Sequence, residues 1–193
     1  SKQGLDTVTN IAIDWLEQTG IYGFRHDATK HIPDEFWQTV TSKSKSQINP
    51  QREQNIFQIG ETFGSHEFIK SYVNNGMLDS QFNFELFFTM RRIFVEPNSD
   101  FADLEIALDK SFAIYGYNNL MGNIMDSHDQ VRIMAYLDKD LDLSDNGTER
   151  AWEKPKITVD NALSYQKEHM ILSFLLTIPG VPIIYYGDEF GMT

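Results

Sequence analysis

The sequence predicts an α/β fold with parallel strands. Short apolar segments alternate along the chain with longer segments of helical periodicity, and this alternation is typical of β-α-β units. Acidic residues close three of the predicted strands, at Asp27, Glu61 and Asp129. Asp27 and Glu61 are 34 positions apart, and Glu61 and Asp129 are 68 apart, as one β/α unit followed by two would give. Because catalytic groups stand at the carboxyl ends of strands in a β/α barrel, this spacing favours a barrel.

The first elements follow from periodicity and stop signals. Apolar residues recur at helical spacing over 7–19, and Gly20 ends that helix. An apolar strand is predicted at 21–24. Pro33 and the two acids after it predict a helix running to Val40, because proline and negative charge suit a first turn.

The rest of the chain continues the alternation. Segment 42–55 is polar and is interpreted as a fraying helix end and a loop, and segment 137–157 is predicted to be the least structured part. The remaining strands are predicted at 56–60, 76–79 (weakly), 120–125 and 181–186, and the remaining helices at 66–74, 84–95, 101–115 and 160–177.

Composition excludes several classes of function. The 193 residues, 41% of them hydrophobic, suffice for one domain or a large part of one. A formal charge of −12 argues against nucleic acid and anionic membranes, which bind basic surfaces, and suits a neutral ligand such as a sugar. Without cysteine there is no disulfide, thiolate metal site or cysteine nucleophile. No apolar run reaches the roughly 18 residues of a transmembrane helix.

Arg25 and Asp27 stand at the end of the first predicted strand. Alternate residues of a strand share a face, so these two side chains can point the same way. A neighbouring arginine lowers the pKa of a carboxyl group, and a carboxylate nucleophile has to be ionised before its substrate arrives. An ordinary ion pair at a strand end is the alternative interpretation of this pair.

Four segments together resemble the signature regions of the alpha-amylase family, glycoside hydrolase family 13. Residues 23–31, Gly-Phe-Arg-His-Asp-Ala-Thr-Lys-His, are similar to the region at barrel strand four, and residues 59–61, Ile-Gly-Glu, to that at strand five. Residues 123–129, Asn-Ile-Met-Asp-Ser-His-Asp, resemble the strand-seven region, and 179–189 the strand-eight region. The resemblance implies a partial (β/α)8 TIM barrel, strands four to eight. Residues 1–193 would be the C-terminal portion of the catalytic domain, without the inserted and C-terminal domains, and the remainder of the same polypeptide is expected.

The resemblance also implies a role for each site residue. Three carboxylates would be catalytic: Asp27 as nucleophile, Glu61 as general acid/base and Asp129 as transition-state stabiliser. Four other residues would bind substrate or support the carboxylates. Arg25 would keep Asp27 ionised, His128 would bind sugar hydroxyls, and Lys30 and His31 would line the aglycone side.

This assignment agrees with the chemistry of retaining glycosidases. They need two carboxyl groups about 5–5.5 Å apart, one ionised and one protonated, and neighbouring strands can supply that separation. Glu61 has apolar sequence neighbours and no adjacent base, which predicts a raised pKa. The implied function is a retaining glycoside hydrolase acting on alpha-1,4-linked glucans of the starch, maltooligosaccharide, cyclodextrin or pullulan type.

Departures from the family pattern are small, and two alternatives stay open. Ser127 replaces the asparagine that commonly precedes the His-Asp pair. We interpret this replacement as an adjustment of the site and not as a loss of its function. Ala28 followed by Lys30 and His31 favours action on α-1,4 over α-1,6 linkages. A glucanotransferase or branching enzyme of the same family would share all three carboxylates. A non-catalytic glycan-binding protein on a decayed barrel would not need them intact.

No cofactor is required by this chemistry. The family often binds calcium, partly through the backbone carbonyl at the His31 position, so calcium is a candidate ligand there. His26, Asp27 and His31 lack a closed ligand set for zinc. The alpha-glucan substrate is the expected partner, and the family's substrates favour a secreted or periplasmic location.

Several other polar residues are interpreted as structural. His26 is expected to pack or hydrogen-bond in the barrel wall, and Asp126 to cap a helix or support the site. Asp188 and Glu189 are expected to be loop residues. The phenylalanine cluster from Phe82 to Phe88 is predicted to lie in the core.

Overall fold

The computed structural model describes residues 1–153 and 156–193. The chain divides into two compact units, which are described separately below. The first unit comprises residues 1–82 and 114–121, and the second comprises residues 83–113 and 122–193. Among the described residues, no helix has both the length and the apolar character needed to cross a membrane.

At least one helix separates each strand from the next along the chain, as predicted. The strands are β1 (Gly23–His26), β2 (Phe57–Gly60), β3 (Ser80–Gln81), β4 (Gly122–Ile124) and β5 (Val181–Ile183). The helices are α1 (Lys2–Thr19), α2 (Asp34–Lys43), α3 (His66–Tyr72), α4 (Phe84–Val95), α5 (Ala102–Tyr115), α6 (Ile133–Leu137), α7 (Gly147–Arg150) and α8 (Ala162–Thr177).

All strand pairs of the two sheets are parallel. In the first unit the order is β1-β2-β3, with His26 of β1 opposite Gly60 of β2. In the second unit β4 pairs with β5. The predicted α/β class with parallel strands is therefore confirmed.

The third strand lies later than 76–79, where it was predicted. The backbone N–H of Asp79 donates to the Gln58 carbonyl (3.0 Å), and the Asp79 carboxylate accepts from the Gln58 N–H (2.8 Å). An aspartate side chain thus replaces a backbone partner, and regular pairing begins only at Ser80. Leu78, which precedes this point, is fully buried in the core of the first unit.

The polar segment 42–55 is more ordered than predicted. It continues from α2 as a π turn (Ser44–Ile48) and a 3-10 turn (Asn49–Gln51). Ile48 is buried and packs against Ile13 and Leu16 of α1. One apolar residue among polar neighbours gives no periodic signal, so only this tertiary contact marks the segment as structured.

The core of the second unit is built from residues of α4, α5, α6 and α8. Helix α4 has the predicted bounds, and Phe87 is fully buried, whereas Phe88 is 44% exposed and corrects the predicted core cluster. Helix α6 was not predicted, because all five of its residues are buried and show no polar face. Helix α7 lies in the segment predicted as least structured, where positions 154 and 155 are outside the described residues.

Candidate active site

Asp27 and Glu61 stand at the same edge of the first unit's sheet. Each directly follows a strand, β1 and β2 respectively, and the two strands are parallel and in register there. The Glu61 N–H donates to the His26 carbonyl (2.9 Å), so the pairing extends one residue past β2. Sequence analysis placed both acids at strand ends, and the register makes these ends adjacent.

Arg25 lies between the two acids. Its Nη1 donates to Asp27 Oδ1 and its Nη2 donates to Glu61 Oε2. The guanidinium also lies over the ring of Phe82, 5.4 Å from the centroid. Two carboxylates bound to the terminal nitrogens of one guanidinium are close neighbours, and the expected pairing of Arg25 with Asp27 is present.

The expectation that Glu61 has no base beside it is wrong. That expectation considered only its sequence neighbours, whereas Arg25 reaches Glu61 from the adjacent strand. A guanidinium favours the ionised form of a carboxyl group that accepts its hydrogen bond.

The backbone around Glu61 is fixed by Thr29. The Thr29 N–H donates to the Glu61 carbonyl (2.9 Å), and the Glu61 N–H donates to Thr29 Oγ1 (3.0 Å). Ala28, with φ 46° and ψ 43°, adopts the left-handed conformation that starts this turn. The Asp27 side chain is 62% exposed and that of Glu61 only 15%, so a ligand reaches Asp27 more freely.

Only glycine fits at position 60, directly before Glu61, because neighbouring side chains fill the space that a Cβ would need. A Cβ at this position would lie 2.4 Å from Gln81 Nε2, 2.6 Å from Thr29 Oγ1 and 2.7 Å from Leu78 Cδ1. All three neighbours are buried, so none can move away cheaply.

We therefore expect Gly60→Ala to lower the free energy of unfolding by about 1–3 kcal/mol, through overpacking. Urea unfolding measures this change. The control is Gly4→Ala in α1, where the added Cβ would meet only Ser1 Oγ at 3.3 Å and alanine suits a helix better. Equal stability of the two variants would contradict the packing argument.

Lys30 and His31 lie on the 3-10 turn (Thr29–His31) that follows Asp27. The Lys30 Nζ donates to the Phe63 carbonyl (3.0 Å), which joins the segment after β1 to the segment after β2. His31 is exposed, and its N–H donates to the Ala28 carbonyl (2.9 Å). Both residues predicted to bind substrate therefore stand on the turn beside Asp27.

His128 and Asp129 belong to the second unit. They follow β4 after three buried residues, and their side chains are 50% and 56% exposed. His128 Nε2 lies 3.1 Å from Asp129 Oδ2. The Oγ of Ser127 accepts from the Asp129 N–H (3.3 Å), so the serine at this position orients the backbone of the acid.

The residues interpreted as structural have structural contacts. His26 packs on Trp37, with ring centroids 4.7 Å apart, and its Nε2 lies 3.0 Å from Gln58 Oε1. Burial lowers the pKa of His26. Asp126 accepts from the Ile133 N–H and thereby caps α6, and its burial raises the pKa of the carboxyl group to about 8.

Two residues near the site were missed by sequence reasoning. Phe82 supports Arg25, and Arg132, at the start of α6, binds Asp188. Arg132 lies three positions beyond Asp129, and this spacing was the only available signal for it.

Comparison with known proteins identifies the family to which this chain is similar. The family model described as "Alpha amylase, catalytic domain" matches residues 4–193. Alpha-amylase 3 of Dictyoglomus thermophilum is 30% identical over 97% of this chain and 32% of its own length. A cyclomaltodextrin glucanotransferase of Paenibacillus macerans is also 30% identical, over 93% of this chain and 21% of its own.

A solved structure supports the fold. The crystal structure of an Anoxybacillus alpha-amylase matches with a TM-score of 0.76 and 23% identity, over 100% of this chain and 37% of that one. The chain thus spans between 21% and 37% of the length of these relatives. The family match over nearly every residue, together with the parallel α/β fold, shows that the chain belongs to the alpha-amylase family, glycoside hydrolase family 13.

Proposed function

We propose that this chain carries the catalytic carboxylates of a retaining glycoside hydrolase that cleaves alpha-1,4-linked glucans. The observation that carries the proposal is the bonding of Arg25 to both Asp27 and Glu61 at adjacent strand ends. Double displacement with retention needs two carboxyl groups about 5–5.5 Å apart, and acids that share one guanidinium are suited to that spacing.

In the first step Asp27 acts as nucleophile. Its carboxylate bonds to the anomeric carbon while the bond from that carbon to the glycosidic oxygen breaks, and Glu61 gives its proton to the departing oxygen. The product is a glycosyl ester of Asp27. Arg25 keeps Asp27 ionised beforehand, and it stabilises the carboxylate that Glu61 becomes as its proton leaves.

In the second step Glu61 acts as base. It takes a proton from water, the water oxygen bonds to the anomeric carbon, and Asp27 departs as a carboxylate. Two inversions at one carbon leave the configuration retained. Arg25 favours the ionised Glu61 with which this step begins.

Asp129 and His128 complete the proposed chemistry. A carboxylate at Asp129 would stabilise the positive charge that develops on the sugar ring in both transition states. His128, whose Nε2 lies beside Asp129, would hydrogen-bond the sugar hydroxyls. Both side chains are exposed, as contact with a substrate requires.

We also propose that the five strands are strands four to eight of a (β/α)8 barrel. Closing such a barrel takes eight strands, so the remaining ones would come from the rest of the protein. The 193-residue chain alone should therefore show little or no turnover of maltooligosaccharides, whereas the full-length protein should hydrolyse them. Activity of the chain alone equal to that of the full-length protein would contradict this.

The second candidate function is glucan transfer. The Paenibacillus macerans relative is a cyclomaltodextrin glucanotransferase, and transfer uses the same glycosyl ester with a sugar replacing water. We expect hydrolysis to dominate, so that adding a sugar acceptor in excess leaves the release of reducing ends nearly unchanged. Chromatography of the products checks this, and transfer of most of the cleaved glycosyl units to the acceptor would identify a transferase instead.

The anomeric form of the first product tests the proposed double displacement. Proton NMR of the early reaction should show the α-anomer, because two displacements retain the configuration. Initial release of the β-anomer would contradict the proposed roles of Asp27 and Glu61.

Calcium is not proposed for the described residues by themselves. Calcium takes about six to eight oxygen ligands, and the carbonyl of His31 would be one of them. Across residues 1–153 and 156–193, no group of three or more ligating His, Asp or Glu side chains includes His31. No step of the proposed mechanism depends on calcium.

A further inference from the structure

Asp126 and Arg132, which flank the His128–Asp129 segment in the sequence, belong to a group of largely buried charged side chains. Asp126, Asp188 and Glu168 are each 1–3% exposed, and none of them has a role in the chemistry proposed above. Arg132 and Arg91 are the cations that face these acids. All five residues belong to the second unit.

Asp126 closes the loop that carries His128 and Asp129. Both of its carboxylate oxygens accept from the N–H of Ile133, at 2.9 and 3.1 Å. One buried side chain at the start of the loop therefore fixes the residue at which α6 begins, and the two exposed site residues lie between these points.

Arg132 ties the same loop to the segment after β5. Its Nη1 lies 3.2 Å from Asp188 Oδ1, and its Nη2 donates to the Tyr186 carbonyl (2.7 Å). The guanidinium is stacked over the rings of Tyr185 and Tyr186, at 4.5 and 4.8 Å from their centroids. Asp188 Oδ2 in turn accepts from the Tyr185 N–H (2.9 Å).

Burial raises the pKa of Asp126, and the negative charge of Asp188 raises it further. Two buried carboxylates repel each other, so protonation of one of them relieves that repulsion. Glu168 of α8 adds a third buried acid near Asp188 and Arg132. Three buried acids, together with the exposed Glu189 that also acts on Asp188, face two guanidiniums, which favours one protonated acid.

We propose that Asp126, through the Ile133 N–H, and Asp188, through Arg132, position the His128–Asp129 segment for catalysis. The proposal rests on the function proposed above, because it assigns positioning residues to the same site. Asp126 and Asp188 act through the loop backbone and do not touch the substrate.

Protonation of this pair gives the protein a characteristic pH dependence. Burial raises the pKa of Asp126 from its usual 3.8 to about 8, and burial also raises the pKa values of Asp188 and Glu168, the latter to about 7. The folded protein then binds these protons more tightly than the unfolded chain does. The stability that they contribute is complete below about pH 4 and is lost as the pH rises to about 8.

The test compares two variants of Asp126 in the full-length protein. Asp126→Asn keeps an acceptor for the Ile133 N–H, so we expect kcat within about threefold of wild type. Asp126→Ala removes this acceptor, and we expect kcat to fall about 100-fold with little change in KM, because a small displacement of a catalytic group has an effect of that size. Asp109→Asn, an exposed site on α5, is the matched control.

Two further measurements distinguish positioning from general destabilisation. The loss of unfolding free energy between pH 5 and 8 should be smaller in Asp126→Asn than in wild type, since asparagine does not ionise. Amide hydrogen exchange at 127–133 should be faster in Asp126→Ala than in either wild type or Asp126→Asn. If Asp126→Ala does not fold, Arg132→Lys replaces it, because lysine lacks the fork that reaches both Asp188 and the Tyr186 carbonyl.

The outcomes separate this inference from the proposed function. If glucan hydrolysis is present but Asp126→Ala and Arg132→Lys leave kcat unchanged, the positioning inference is wrong and the proposed function stands. The same holds if Asp126→Asn is as impaired as Asp126→Ala. If wild type hydrolyses no glucan while the exchange pattern and pH dependence are as expected, the pair still positions the segment, and only the proposed function fails.

Discussion

Asp27→Asn should lower kcat/KM for maltooligosaccharide hydrolysis by roughly 10⁴-fold or more in the full-length protein. An amide is uncharged and cannot form the glycosyl ester, so the first step loses its nucleophile. The fold should be retained, because the Asp27 side chain is 62% exposed and asparagine keeps its shape. Steady-state kinetics with a defined maltooligosaccharide measures the effect.

The matched control for this variant is Asp14→Asn. Asp14 lies on the exposed face of α1 in the same unit, so the substitution removes an equal charge away from the sheet edge. We expect activity within about twofold of wild type, as for most surface changes. Full activity of Asp27→Asn would remove the nucleophile assignment and would favour a different role for the ion pair.

Glu61→Gln should have the second largest effect. Loss of a general acid and base lowers the rate by about 10²–10⁴-fold, and glutamine can neither give up nor accept the proton. The loss should be smaller for formation of the glycosyl ester from a glucosyl fluoride, because fluoride departs without protonation. Burst kinetics with that substrate would then show the ester accumulating.

Azide distinguishes the roles of the two carboxylates when each of them is replaced by alanine. With Glu61→Ala, azide should replace water in the second step and give the α-glycosyl azide, because Asp27 still forms the ester. With Asp27→Ala, azide should attack in place of the carboxylate and give the β-glycosyl azide. Glu17→Gln on α1 is the control for charge loss. Interchanged products would mean that the roles of Asp27 and Glu61 are reversed.

Much of the fold could be predicted from local pattern. The bounds of helix α4 and the order of strands and helices follow from the local sequence pattern. Helix α6 was missed because it is buried on all sides, and the turn at 44–48 was missed because one residue, Ile48, anchors it. β3 was placed too early because the Asp79 side chain takes over the first pairing.

The sequence by itself determined which acids stand at strand ends, and the resemblance of their surroundings to family 13. Only the tertiary structure decided that Arg25 binds Glu61, a residue 36 positions away, as well as Asp27. The same is true of Arg132, which reaches Asp188 across 56 positions. The reason is physical: periodicity reports how a residue faces within its own element, whereas strand register and helix packing decide which distant charges share a site.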